Sequence, residues 1–248
     1  MAATADGLAG IAEGTAFDIA VLGAGAGGMA AAVFAALEGR RVLLVERTEY
    51  LGGTSALSAA TAWVPGTRLA ATVGATDSRE TASAFLDRAV GNRAPKALRE
   101  AFLDAGPSAI HTLLDRTEVQ FRARPFHPDY LYELEGSTSN GRALEPEPFD
   151  GRRLGADLGL IRPPIPEFTI LGGMAIDRDD IGHLLRMKTS AASFLYSAKL
   201  VARYGLARLR HPRDPRLLMG NALIGRLLAA ARRLDVTILT QARVTELV

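Results

Sequence analysis

The stretch 18–46, DIAVLGAGAGGMAAAVFAALEGRRVLLVE, decides the fold of this chain. Residues 18–22 form an apolar strand pattern that runs directly into the glycine-rich turn 23–28. An alanine-rich helical pattern follows over 29–37, and residues 41–45 predict a second buried strand that ends at Glu46. Strand, glycine turn, helix, strand and acid in this order predict a dinucleotide-binding α/β domain.

Each glycine of the turn has a physical role. Gly23 permits the tight turn, Gly25 leaves room for a pyrophosphate against the backbone, and Gly28 lets the helix pack closely on the sheet. The first-turn N–H groups of the helix lack internal partners, and the helix dipole there favours an anion. The turn residues predicted to bind the cofactor are Gly23, Ala24, Gly25, Ala26, Gly27 and Gly28.

Glu46 and the loop after it narrow the choice of cofactor. A carboxylate at this position accepts hydrogen bonds from ribose hydroxyls and repels a 2′-phosphate, so the site suits FAD or NAD rather than NADP. Residues 50–58, YLGGTSALS, follow almost immediately and either line a second side of a long cofactor or form a plain connecting loop. Their position beside the acid favours the cofactor, and the predicted binding residues here are Arg47, Gly53, Thr54, Ser55 and Ser58.

Longer segments resemble a known superfamily. The run 18–65, with GAGAGG, VLLVERTEYLGGTSALS and the Trp-Val-Pro of residues 63–65, is similar to the FAD-dependent fumarate reductases and 3-ketosteroid Δ1-dehydrogenases. FHPDY at 126–130 and MGNALIGRLL at 219–228 resemble the ketosteroid branch. The resemblance implies FAD, a Rossmann-like α/β FAD-binding domain of the GR2 type, hydride transfer from a steroid or other cyclic ketone to flavin N5, and an external electron acceptor.

The same resemblance implies an incomplete domain with a largely helical insertion. The Rossmann core is expected at 16–65 and 235–248, the insertion at 66–234, and a disordered tail at 1–15. Strands predicted at 236–239 and 243–247 return to the sheet, where the resemblance implies that Val244 offers backbone groups to the adenine. The family's catalytic domain is expected to lie outside this chain.

The resemblance also assigns chemistry to single residues. Tyr130 matches a tyrosine that assists a second tyrosine in removing the C2 proton of the steroid, although a loop or core aromatic is the alternative. Asp129 beside it is expected to form a turn. Relatives with covalent flavin carry a histidine where this chain has Gly53, so FAD is expected to be non-covalent.

Composition bounds the remaining possibilities. The net charge of +2 gives no support for nucleic-acid binding, and the absence of cysteine excludes cysteine-ligated metals in this chain and fits a reducing cytoplasm. The four histidines lack metal-ligand spacing, so no metal is expected. A basic amphipathic helix at 191–210 suggests peripheral membrane contact, or else an ordinary surface helix whose apolar face packs on the core.

Two alternative functions stay open. A fumarate-reductase-like enoate reductase shares the superfamily, but the Trp-Val-Pro segment favours the ketosteroid branch. The other alternative is not an enzyme function: the chain would be a non-catalytic FAD-binding fragment or subunit.

Overall fold

The glycine-rich segment folds as the sequence predicts. In the computed structural model, which describes residue 11 and residues 14–246, the elements in chain order are the strands β1 (Ile19–Leu22), β2 (Val42–Val45), β3 (Ala62–Trp63), β4 (Phe121–Ala123), β5 (Ala143–Pro146), β6 (Phe149–Asp150), β7 (Thr169–Ile170), β8 (Met174–Ala175), β9 (Arg216–Leu217) and β10 (Thr237–Leu239). The helices are α1 (Ala26–Leu37), α2 (Arg79–Val90), α3 (Lys96–Arg116), α4 (Arg178–Leu185), α5 (Ala191–Arg208) and α6 (Met219–Arg233).

These elements fall into two compact units. The first combines the residues up to Ser58 with the residues from Pro148 onward, and the second is Ala59–Glu147. The division differs from the predicted insertion at 66–234. Only the part up to Glu147 forms a separate unit, whereas residues 148–234 belong with the cofactor segment. The reason is long-range pairing: β6 joins β9 as an antiparallel pair, and α6 packs against α1.

The first unit contains a parallel sheet of order β1-β2-β10. Parallel neighbours need a crossover, which α1 supplies between β1 and β2. The sequence predicts a strand at 243–247, after β10. Residues 243–246 form no strand, and residue 247 lies outside the described residues. After β10 the backbone turns at Gln241, where φ is +56°, and the N–H groups of Gln241 and Ala242 bond to residues that follow β2.

The second unit pairs β3, β5 and β4 in an antiparallel sheet beside α2 and α3. Arg142 is almost fully buried in it and donates hydrogen bonds to Asp77 at 2.7 Å and to Asp129 at 2.8 Å. Its guanidinium also lies over the rings of Trp63 and Phe85, at 5.6 and 5.5 Å from their centroids. A buried cation held by two carboxylates and two aromatic faces therefore organises this unit.

Two helices, α4 and α5, lie between Arg178 and Arg208. Asp177 caps α4 through a capping box with Asp180, and Ser190 caps α5 by accepting from the Ser193 N–H. The predicted apolar face of α5 is exposed throughout, so the expectation that it packs on the core is wrong; its members are Phe194, Leu195, Ala198, Val201, Ala202 and Leu206. Within the described residues, no helix is long and apolar enough to cross a membrane.

Candidate functional site

The turn between β1 and α1 requires glycine at two positions. Gly23 has φ +96°, a backbone conformation that side chains rarely adopt. A Cβ on Gly28 would lie 1.9 Å from the Gly23 carbonyl oxygen. Gly25 is different, because its φ of −69° suits any residue and a Cβ there would meet only Ser55 Oγ, at 3.9 Å. Space beside the Gly25 backbone is therefore left for a ligand.

The N-terminus of α1 presents amide donors at this space. The Ala26 N–H donates to Ser55 Oγ at 3.2 Å, and the Met29 N–H donates to the Gly25 carbonyl at 2.9 Å. The amides of Gly27 and Gly28 have no hydrogen-bond acceptor among the residues that the structure describes. With the helix dipole, these donors suit an anion such as a pyrophosphate.

The predicted second side of the site lies against the turn. The Gly52 N–H donates to the Ala24 carbonyl at 2.7 Å, and Gly25 and Gly52 form a parallel bridge. Gly53, with φ +51°, would place a Cβ 3.6 Å from Gly25 Cα. Thr54 is exposed, and the Ser58 hydroxyl donates to the Ser55 carbonyl at 2.9 Å. The loop is thus packed against the glycine turn.

The buried carboxylate of Glu46 ties the end of β2 to the turn. Its Oε2 accepts from the Ala24 N–H at 2.9 Å, and its Oε1 accepts from both the N–H and the hydroxyl of Thr48 at 2.9 Å. Burial opposes ionisation, but these hydrogen bonds outweigh it and lower the pKa of Glu46. A carboxylate oxygen can accept two bonds, so Oε2, which accepts one here, has capacity left for a ribose hydroxyl.

A cleft of about 330 Å³ brings several predicted residues together. Gly23, Glu46, Arg47 and Val244 all line it, although they come from three separate segments of the chain. Val244 is half-exposed there. The cleft begins at the glycine turn and continues past the acid, which is the path that an adenosine attached to a turn-bound pyrophosphate would follow.

Sequence reasoning missed Arg162. Its backbone N–H donates to the Leu51 carbonyl at 3.0 Å and its guanidinium to Thr48 Oγ1 at 3.2 Å. The guanidinium also lies 5.7 Å from the centroid of Tyr50, and its charge helps to lower the pKa of Glu46. Arg162 sits in a proline-rich run with no periodicity, so no local signal marks it.

The start of α6 holds the GGTS loop from the other side. The Gly220 N–H donates to the Ser58 carbonyl at 2.9 Å, and Asn221 Nδ2 donates to the Ala56 carbonyl at 2.9 Å. A Cβ on Gly220 would lie 2.0 Å from the Ser55 carbonyl oxygen. The segment 219–228 stood out in the sequence, but only the fold shows that its role is to support the loop.

Tyr130 lies in the second unit, fully exposed at the edge of a cavity of about 290 Å³. The cavity is mainly apolar, and its lining includes Trp63, Phe85, Leu86, Pro128 and Leu131. Asp129 is buried and accepts from Trp63 Nε1 at 2.6 Å and from the Thr138 N–H at 3.0 Å, in addition to Arg142. It fixes the backbone that presents Tyr130, which fits a structural role rather than acid catalysis.

A family model described as FAD binding domain matches residues 18–248. The chain belongs to this FAD-binding family. Its cofactor is FAD, and the predicted Rossmann-like α/β fold of the GR2 type is confirmed. A pyrophosphate joined to an adenosine fits three features of this FAD-binding chain: the turn amides, the ionised Glu46 and the glycines of the second loop.

Relatives of the FAD-binding chain are dehydrogenases. It is 36% identical over 84% of its length to the 4-oxocyclohex-2-ene-1-carboxylate 5-dehydrogenase of Sinomonas cyclohexanicum. It is 32% identical over 93% of its length to the 3-oxosteroid 1-dehydrogenase of Mycobacterium tuberculosis. The matches cover 35% and 40% of those proteins, so the chain spans about two fifths or less of their length.

A solved structure shares the fold closely. The 3-ketosteroid Δ1-dehydrogenase of Sterolibacterium denitrificans, in complex with 1,4-androstadiene-3,17-dione, aligns with a TM-score of 0.81 and 28% identity. The alignment covers 91% of the FAD-binding chain and 40% of that protein.

Among the described residues of the FAD-binding chain, no three His, Asp or Glu side chains are grouped to hold a metal ion.

Proposed function

We propose that this chain is the FAD-binding part of an oxidoreductase that dehydrogenates a CH–CH bond beside a ketone, with 3-ketosteroid Δ1-dehydrogenation as the reaction. One observation carries the proposal. In its second unit the chain presents Tyr130 at the edge of a mainly apolar cavity, and relatives at 32% identity are 3-oxosteroid 1-dehydrogenases.

Bound FAD supplies the hydride acceptor. The α1 amides would hold its pyrophosphate, Glu46 would accept from the adenosine ribose, and Arg47 and the Val244 backbone would border the adenine. The loop with Gly53, Thr54, Ser55 and Ser58 lines the second side. Gly53 offers no side chain to bond the flavin, which supports non-covalent binding.

The second unit supplies an apolar surface and a phenol. Trp63 and Phe85 offer ring faces to a flat hydrocarbon skeleton, and an apolar cavity with few polar groups is typical of such sites. A neutral phenol is a poor base, so Tyr130 would assist proton removal by hydrogen bonding to a second base rather than acting alone. Burial of Asp129 fixes the backbone on which Tyr130 stands.

The test is Tyr130→Phe in the FAD-loaded full-length enzyme, assayed by dye-linked dehydrogenation of 4-androstenedione. We expect most of the rate to be lost with the flavin absorbance unchanged. Tyr132→Phe is the matched control, because Tyr132 is exposed on the same loop and does not line the cavity. Full activity of Tyr130→Phe would remove Tyr130 from the site, and a wild type that carries FAD but turns over no ketosteroid would refute the reaction.

The alternative of a non-catalytic FAD-binding chain is tested separately. Hydride transfer needs the flavin, the proton-abstracting base and the ketone-polarising groups held together. The described residues supply part of this set, and the chain spans about two fifths of the steroid-active relatives. We therefore expect isolated residues 1–248 to bind FAD without turnover, and steroid-dependent dye reduction by that piece would contradict this.

A smaller cyclic ketone that carries a carboxylate is a second candidate substrate. The supporting observation is the 36% identity to a 4-oxocyclohex-2-ene-1-carboxylate dehydrogenase. Comparing kcat/KM for that acid and for 4-androstenedione decides between the two.

We also propose an external electron acceptor and peripheral contact with a membrane. Reoxidation of the cofactor requires an acceptor, and a steroid substrate partitions into lipid. The segment 181–213 has basic but no acidic residues, which suits an anionic lipid surface.

A further inference from the structure

The outward face of α5 is more apolar than its inward face. The residues turned to the interior are Ser193, Ser197, Leu200 and Tyr204. The exposed residues include Phe194, Leu195, Val201 and Leu206. An ordinary surface helix places its bulky apolar residues inside. Here two of the four inward residues are serines, so the larger apolar group of the helix is offered to the surroundings.

The neighbouring α4 extends this face. Ile181 and Leu185 on α4, and Met187 just after it, are exposed. The two helices pack against each other, and the rings of His183 and Tyr196 stack at 4.1 Å between centroids. Both of these packed helices therefore expose bulky apolar residues, and exposed apolar surface of this kind marks interaction sites.

The charges of the segment 181–213 have a single sign, whereas Asp179, at the start of α4, is exposed. The segment 181–213 contains seven Lys and Arg residues and no Asp or Glu. Lys188, Lys199 and Arg210 are exposed, and no ion pair is formed by these three within the described part of the chain. Arg203 approaches Asp214 at 3.8 Å, outside the segment.

A basic cleft lies at the end of α5. It has a volume of about 450 Å³, and Arg203, Arg210 and His211 line it beside Leu206. Arg152, Arg216, Asp150 and Asp214 also line it. Asp150 is hydrogen-bonded to Arg152 at 2.6 Å, and Asp214 lies 3.8 Å from Arg203. This leaves Arg210, just after α5, as the cation available to a ligand. An apolar residue next to a cation in a cleft suits a phosphate that carries acyl chains.

We propose that α4 and α5 form a docking surface for a membrane that contains anionic lipid. Leu185, Phe194, Leu195 and Leu206 enter the boundary between headgroups and acyl chains, and Lys199 and Arg210 face the lipid phosphates. Apolar residues with basic neighbours and no acid are the pattern of a helix that lies in this boundary. The basic residues of α5, which contains no acid, favour an anionic lipid surface as the partner. The contact places the chain on the membrane, where a substrate that partitions into lipid is concentrated.

The experiment measures flotation of the purified FAD-loaded protein with vesicles, one set of phosphatidylcholine alone and one mixed with phosphatidylglycerol. We expect binding to the anionic vesicles that weakens as salt rises. Leu195→Gln should lower the affinity about tenfold, because it removes an inserted apolar side chain. Lys199→Glu should lower it about fivefold or more, because it replaces attraction by repulsion.

The chain offers matched controls in the second unit. Leu98 on α3 is 63% exposed, against 67% for Leu195, so Leu98→Gln makes the same change on another helix. Arg93 is likewise exposed, and Arg93→Glu matches the charge reversal. Both controls should bind vesicles as the wild type does, and thermal unfolding checks that all four variants are folded.

Two outcomes overturn the proposal. One is no binding of the wild type to anionic vesicles. The other is equal binding by the α5 variants and their controls, which is also the result expected if a protein segment covers this face. The assay needs neither substrate nor turnover, so its failure leaves the proposed reaction standing, and failure of the reaction leaves the vesicle result intact.

Discussion

Replacing Glu46 with Gln tests the adenosine site most directly. The substitution keeps the shape of the side chain but removes its charge and turns one oxygen into an NH2 group. In the structure Oε2 faces the Ala24 N–H, and Oε1 faces the N–H and the hydroxyl of Thr48. The new NH2 group therefore points at an N–H donor in either orientation, and at least one hydrogen bond to a charged acceptor is lost.

The internal bond is lost in both the free and the FAD-bound protein, so the change in affinity comes from the bonds to the ribose. A hydrogen bond to a charged group contributes about 1.5–3 kcal/mol, and 1.4 kcal/mol corresponds to about tenfold in affinity. The ribose hydroxyls lose an ionised acceptor. We expect the dissociation constant for FAD to rise at least tenfold, measured by fluorescence titration of the apoprotein at pH 7.

The control is Thr48→Val, which removes the hydroxyl donor but keeps the carboxylate and its bond from the Thr48 N–H, and should weaken FAD binding less. Because the pKa of Glu46 is lowered on folding, its contribution is present above the ordinary value of 4.5 and is lost as the pH falls below it. Wild type should lose FAD on acidification through that range, and the Gln variant should lose this dependence. An unchanged dissociation constant for Glu46→Gln would show that the carboxylate does not bind adenosine.

Four further outcomes are expected. Gly25→Val should abolish FAD binding with little change in Tm, because its backbone suits valine and its Cβ meets only Ser55; retained binding would contradict the pyrophosphate assignment. Gly28→Ala should lower the unfolding free energy by about 1–3 kcal/mol through overpacking, checked by urea titration. Arg142→Met should cost about 3–5 kcal/mol, because two buried carboxylates lose their cation; a loss below about 1 kcal/mol would refute the assigned role. Acid precipitation of the holoprotein should release FAD into the supernatant, whereas flavin in the pellet would show a covalent bond.

The core of the cofactor site could be predicted from one short stretch of sequence. Gly23, Gly28 and Glu46 lie within 24 residues, and their roles depend on a turn, a helix start and the strand that follows. These are local features, because backbone conformation and strand periodicity are set by neighbouring residues. Tyr130 was found in another way, through its resemblance to the Pro-Asp-Tyr segment of a known family.

Long-range contacts decided the rest. Asn221 supports the loop at Ala56 across 165 positions, and Arg162 reaches Thr48 across 114. No local pattern encodes such pairs, since each depends on where the backbone of a distant segment lies. The position of the unit boundary has the same origin, because it follows from the pairing of β6 with β9.

The orientation of α5 shows most clearly the difference between what the sequence determines and what the tertiary structure determines. Helical periodicity shows that Leu195, Ala202 and Leu206 share one side, and it does so from the sequence alone. It contains no information on which side meets the interior, because that depends on what packs against the helix. Only the tertiary structure shows the serine face turned inward and the leucines turned outward. Side-chain spacing is a property of one helix, whereas burial is a property of its neighbours.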